Sequence, residues 1–254
     1  MTTFTERVAL HHVGPAPCVA RLREPHGDDE LALAGVDTRA AGQLLERLVL
    51  APPCAVDALS ASDRDALLAA LHRALWGDRV VSTLACDACG ADYDLAFELS
   101  ALQRSLAERT EPVAIDAPRV LRTAAGERFA LTTVADEESA ALLGDAGAAR
   151  LAAAIANDDG ATADAVGARL DVLAPLIDVD LDTRCAECGH PQLARFDVQT
   201  FVLQRLLDER DGVLDDLHAL AAGYGWALPD ILALPRSLRR SLVQRLTGTA
   251  PAFG

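Results

Sequence analysis

The feature that most limits what this chain can fold into is a short motif that occurs twice, Cys86-Asp87-Ala88-Cys89-Gly90 and Cys185-Ala186-Glu187-Cys188-Gly189. Cys-x-x-Cys followed by glycine is a knuckle, a tight turn that points two thiolates at one ion while glycine takes the positive φ. Each knuckle offers two ligands, and a tetrahedral structural zinc site needs four. The knuckles must therefore meet, although 99 residues separate them. We expect Cys86, Cys89, Cys185 and Cys188 to hold one structural zinc ion per chain. Cysteine at every position leaves no open site for a substrate, which disfavours a zinc hydrolase.

The same interval recurs elsewhere. Leu22 and Arg23 stand 99 residues before Leu121 and Arg122, Gly27 before Gly126, Asp37 before Asp136, Leu44 before Leu143, and Phe97 before Phe196. A period this long reads as a duplicated domain rather than a solenoid. The expected organisation is one unit over residues 18–107, a second over 117–206, and a tail over 207–254 continuous with a helix starting near 198. Cys18 and Cys54 fall over alanines and read as buried packing groups.

Local signals fill in the units. Asp37 or Thr38 caps a helix running to about Leu50, stopped by Pro52-Pro53. Ser62-x-x-Asp65 resembles a capping box for a helix ending at Trp76. Strands at Val80–Ala85 and Asp92–Leu99 flank the first knuckle; in the second of them Tyr93, Leu95, Phe97 and Leu99 alternate with polar or small residues. Residues 1–17 read as a polar lead-in, and 24–29 as a turn. Residues 198–222 are periodic enough for one long helix closed at Gly223-Tyr224-Gly225, and a last helix spans 236–247. The expected class is α+β, mainly helical with short β-hairpins, an internally duplicated unit around a shared zinc ribbon, plus a C-terminal helical tail.

Composition narrows the function classes. A net charge of −15 argues against broad binding to a phosphate backbone. No run is long and apolar enough to span a bilayer, and the N-terminus has no secretory pattern, so a bacterial cytoplasmic location is expected. The six histidines are scattered. Neither a phosphate loop nor a nucleophile elbow is present, so no catalysis is expected. The acidic groups Asp28-Asp29-Glu30 and Asp215-Asp216 read as solvated faces. A zinc-ribbon nucleic-acid adaptor is the alternative, and a Cys-x-x-Cys thiol oxidoreductase a weaker one.

Three segments carry a resemblance: Arg122 with the Gly126 turn; Cys185 through His190 followed by Phe196-Asp197; and Tyr224-Gly225-Trp226…Ile231-Leu232-Ala233-Leu234-Pro235…Arg239-Arg240. Over residues 118–247 the chain resembles the T-even-type phage baseplate hub and hub-assembly proteins, whose relatives occur in phage-tail-like contractile injection systems. The resemblance implies a non-enzymatic structural or assembly role among other baseplate, hub or tail proteins. Within the tail, Trp226, Leu228, Ile231 and Leu234 form a dense apolar set beside Arg239 and Arg240, and tryptophan and arginine are enriched at binding hot spots. These six are the expected partner-binding residues. The competing expectation is a turn that packs back on its own helix.

Overall fold

A computed structural model describes residues 5–16, 18–157 and 160–248. The chain is α+β, mainly helical, with short antiparallel sheets. The first unit opens with β1 (Thr5–Leu10) and β2 (Cys18–Arg23), paired antiparallel, with β3 (Val49–Leu50) on the other edge of β2. The lead-in expected over 1–17 is thus corrected over 5–10, while residues 1–4 and 17 lie outside the described residues. Val8 and Leu10 are buried while Arg7 and Ala9 beside them are exposed, which gives β1 one core-facing side.

Helix α1 (Gly27–Ala32) replaces the expected turn. Its first residue must be small, because a Cβ on Gly27 would sit 3.2 Å from both Leu232 and Arg239. Helix α2 (Thr38–Leu48) begins as expected, with the Asp37 carboxylate accepting from the Ala40 N–H at 2.8 Å. It ends two residues early because Val49 and Leu50 leave to pair with β2. Helix α3 (Ala61–Trp76) is capped by Ser60 rather than Ser62; the Ser60 hydroxyl accepts from the Asp63 N–H, and Gly77 at φ +86° stops the helix.

The hairpin β4 (Arg79–Ala85) and β5 (Asp92–Glu98) follows, then α4 (Leu99–Arg109). The next stretch forms the sheet β6 (Ala114–Ala117), β7 (Val120–Arg122), β8 (Arg128–Ala130) and the helices α5 (Val134–Ala141), α6 (Asp145–Ala156) and α7 (Ala163–Leu173). Asp136, expected as a cap, is instead the third residue of α5; Thr133 caps it and Asp136 answers from the far side of the box. A second hairpin, β9 (Asp178–Arg184) with β10 (Pro191–Asp197), runs into α8 (Val198–Asp208).

Strand for strand, the hairpins and the helices after them start and stop 99 residues apart. Residues one interval apart also touch. Phe97 meets Phe196 edge to face at 5.0 Å, Thr38 donates to Glu137 at 3.0 Å, and Arg39 donates to Glu138 at 2.9 Å.

The cores do not divide at the expected unit boundary. The largest unites residues from Val8 to Leu106 with Ile177, Phe196, Val198, Val202, Leu203 and Leu206, so α8 packs on α3 and α2. A smaller core joins β7 and β8 with α6 and α7, around Leu121, Phe129, Ile155 and Leu173. The expected single helix over 198–222 is two helices, α8 and α9 (Arg210–Tyr224), which break at Glu209. The reason is a change of partner. Side chains of α8 enter the large core, whereas Val213, Leu217 and Leu220 of α9 form a third core with Ile231. At the break, the Glu209 carboxylate accepts from Trp76 Nε1 at 2.8 Å and from Arg236 and Arg240. Two further helices, α10 (Leu228–Leu232) and α11 (Arg236–Thr247), complete the tail.

Two of the buried titratable groups, Asp65 and His72, bear on the pH dependence of stability. Asp65 on α3 accepts from the Ile177 N–H at 2.9 Å, tying α3 to the start of β9. Burial pushes its carboxyl up to about 7, against the opposing pull of that N–H and of Arg64. A carboxyl raised in the folded state binds more protons there than in the unfolded chain between its two pKa values. Its contribution therefore weakens as pH rises from about 4 to about 7 and stays flat above. Asp65→Asn keeps an acceptor for Ile177 and removes the charge. The variant is expected to match the parent at pH ~5 less closely than below it, and to exceed it at pH ~8 by on the order of a few kcal/mol. Urea titrations at both pH values measure this, and no gain at the higher pH contradicts it. His72 runs the other way, held down to about 4 by burial and by Arg205 and Arg73, but it is common to both proteins and cancels.

Candidate metal centre

Each knuckle is the turn of a hairpin whose strands pair in full register, from Arg79↔Glu98 to Ala85↔Asp92 and from Asp197↔Asp178 to Pro191↔Arg184. In the first turn the Cys86 N–H bonds the Ala91 carbonyl and the Gly90 N–H bonds the Cys86 carbonyl; in the second, Cys185 bonds His190 and Gly189 bonds Cys185 in the same way. Both closing glycines have positive φ, 71° and 73°, the region that a side chain would strain. His190 lies exposed and serves the turn through its carbonyl.

The two turns face each other, and the four sulfurs lie within 4.8 Å of one another. Cys86 Sγ is 3.7 Å from Cys188 Sγ, and Cys89 Sγ is 3.8 Å from Cys185 Sγ. A disulfide brings sulfurs to about 2.05 Å, so these are not disulfide pairs. Four thiolates around one ion at about 2.3 Å stand about 3.8 Å apart at the corners of a tetrahedron. The spacing fits that figure. Cys86 and Cys185 are buried, and Cys89 and Cys188 are exposed, so one side of the cluster faces solvent.

Electrostatics at the cluster is compatible with a bound cation. The backbone N–H groups of Cys89 and Ala88 hold the Cys86 thiol down to about 6. At Cys89 the Ala91 N–H favours the thiolate, yet the neighbouring sulfurs of Cys188, Cys86 and Cys185 push it up to about 12. Successive ionisations at this spacing oppose each other, and a divalent ion removes the opposition. The donor set therefore suits a metal ion, and these four cysteines are the residues that can hold one.

Polar and aromatic side chains brace the cluster. Gln192 of β10 reaches the first knuckle with both ends of its amide, accepting from the Asp87 N–H at 3.1 Å and donating to the Ala85 carbonyl at 3.2 Å. At the corresponding position on β5, Tyr93 packs against Cys86 and Cys185. Sequence reading found the ligands but not this pair, because unlike residues at matched positions leave no repeat signal. A further cluster, His12 with Ser60, Ser62 and Asp63, was also missed. His12 Nδ1 lies 3.2 Å from Ser60 and 3.0 Å from Ser62, while Asp63 accepts from the backbone N–H groups of His11 and His12. Both Asp63 oxygens are engaged by backbone, so the group fastens the loop after β1 to the start of α3.

The six expected partner-binding residues separate into two sets. Trp226 and Leu228 are 40% and 54% exposed, and Trp226 stacks on Tyr224 at 4.9 Å. Arg240 is exposed, Leu234 half-buried, and Ile231 fully buried in the tail core. Arg239 is 0% exposed and is the largest fully buried side chain described. It bonds Glu30 and Asp216, and Arg236 beside it bonds Glu30 at 2.6 Å and Glu209. The expectation of a paired-arginine docking face is corrected: Arg239 is an internal ion-pair residue. So is the reading of the acidic groups as solvated, since Asp29 takes both nitrogens of Arg23 and Glu30 takes Arg236 and Arg239. Cys18 and Cys54 pack partly buried against the large core.

No protein-family model, curated protein or solved structure matches the chain. Among the described residues, no helix is long and apolar enough to cross a membrane.

Proposed function

We propose that the chain is a non-enzymatic structural or assembly protein of a contractile phage tail baseplate or phage-tail-like injection particle, working through protein contacts around a zinc-clamped fold. Zinc is the ion that four thiolates at tetrahedral spacing favour. Its chemistry here is a cross-link: it fastens one hairpin to the other and leaves no position for a substrate. The two matched hairpins are read as products of duplication, supported by the 99-residue offset of their strands.

The observation that carries the assembly reading is the exposed cluster Tyr224, Trp226 and Leu228, which lies within the segment of greatest resemblance to baseplate proteins. Large exposed apolar side chains grouped together mark contact sites. The nucleic-acid alternative has less support, because Arg236 and Arg239 of α11 are committed to internal carboxylates and Arg240 to Glu209.

The test is capture by the tagged chain, produced together with the genes that adjoin it. Sheath, tube, spike or baseplate proteins should be retained, and Trp226→Ser with Leu228→Ser should abolish retention while shifting stability by less than about 1 kcal/mol. Retention of nucleic acid with a steep salt dependence, and of no particle protein, would overturn the proposal.

A further inference from the structure

A cleft of ≈ 960 Å³ opens between β4, β10 and α8, away from both the cysteines and the tail patch. Its wall is aromatic, with Trp76, Phe196 and Phe201, and its charges are Arg79, Arg195 and Arg205. In a chain carrying 38 acidic and 23 basic residues, arginines without a carboxylate are unexpected. Arg195 has one, Asp178 at 2.6 Å. Among the described residues Arg79 and Arg205 have no carboxylate within ion-pairing distance. Arg205 is half-buried, with its guanidinium 4.5 Å over the Trp76 ring and one nitrogen 3.4 Å from His72. Burial, with a smaller push from Arg236, weakens its hold on its proton more than the nearby Glu209 strengthens it, so an anion there would ease a half-buried charge.

The acids in the wall do not answer it. Asp197 caps α8, accepting from Gln199, Thr200 and the Thr200 hydroxyl, and Asp208 accepts from Gln204 at 2.7 Å. What remains is a face of aromatic rings beside two guanidinium groups, Arg79 and Arg205, that pair with no carboxylate among the described residues. Guanidinium binds carboxylate through two parallel hydrogen bonds, and the rings accept an apolar side chain next to it.

We propose that this cleft is a second docking site, and that its occupant is an acidic peptide segment of a partner protein with an aromatic residue beside the carboxylate. Charge complementarity favours a peptide over a nucleic acid, because two isolated arginines on a chain of net charge −15 cannot track a phosphate backbone. The site stands apart from the tail patch and does not depend on the assembly role.

The test uses the full chain with Trp226→Phe, which leaves Trp76 as the sole tryptophan. Its emission is titrated with acetyl-Asp-Phe-Glu-Phe amide, with the Asn/Gln analogue of that peptide, and with an oligothymidylate. A saturable change with the acidic peptide is expected, at least ~10-fold weaker for the neutral analogue and ~10-fold weaker in Arg79→Gln. Arg79 is exposed, so that variant remains informative if Arg205→Gln fails to fold. Equal binding of the neutral analogue, no saturation by ~10 mM, or preference for the oligonucleotide would each overturn the proposal.

Discussion

Arg239→Glu is expected to unfold the C-terminal helices, with a loss of about 3–5 kcal/mol. The native side chain is fully buried between Glu30 of α1 and Asp216 of α9. A glutamate there would place three carboxylates together without solvent, and Arg236 alone would be left to answer Glu30. Removing one member of a buried ion cluster strands its partners, which costs far more than the pair contributes when intact. Arg240→Glu is the matched control. Arg240 is exposed and makes one surface contact with Glu209 at 3.0 Å, so the change should stay within about 1 kcal/mol. Urea unfolding of the two variants, with limited proteolysis between α9 and α11, separates them. Equal stability would mean that Arg239 does not hold the tail to α1.

Cys185→Ser should release the bound metal and lower Tm by on the order of 10 °C, because binding energy at such a site is folding energy. The loss is expected to fall short of complete unfolding. The large core, from Val8 to Leu206, has its own interdigitated side chains, and Gln192 still bridges the hairpins through the Ala85 carbonyl and Asp87 N–H. Far-UV dichroism should therefore persist after the metal is lost. Chelation of the parent protein should reproduce the effect, and Gln192→Ala should deepen it. An unchanged Tm in both the variant and the chelated parent would remove the metal from the account of stability.

The cysteine cluster was legible in the sequence because ligand spacing is local and its consequence is geometric: two half-sites require one meeting point. The hairpins were legible for the same reason, with alternation in Tyr93, Leu95 and Phe97 marking the strand and glycine closing each turn. What escaped were features decided by distant partners. Glu209 breaks a helix that local periodicity carries straight through, because its carboxylate is taken by Trp76, Arg236 and Arg240. Glu30 and Arg239 look like surface charges in their own segments, and only the return of α11 onto α1 buries them together. The strand β1 was hidden by its short length and by the two histidines after it, whose backbone N–H groups the Asp63 carboxylate holds. The assignment of α8 to the first core has no sequence signal either, since a matched repeat does not say with which copy its helices pack.

The central claim is that Cys86, Cys89, Cys185 and Cys188 jointly bind one zinc ion. Native mass spectrometry of the chain purified under reducing conditions measures it directly, alongside Cys188→Ser. One zinc per chain is expected in the parent and none retained in the variant. A metal-free parent after zinc has been supplied, or zinc retained in full by the variant, would contradict it.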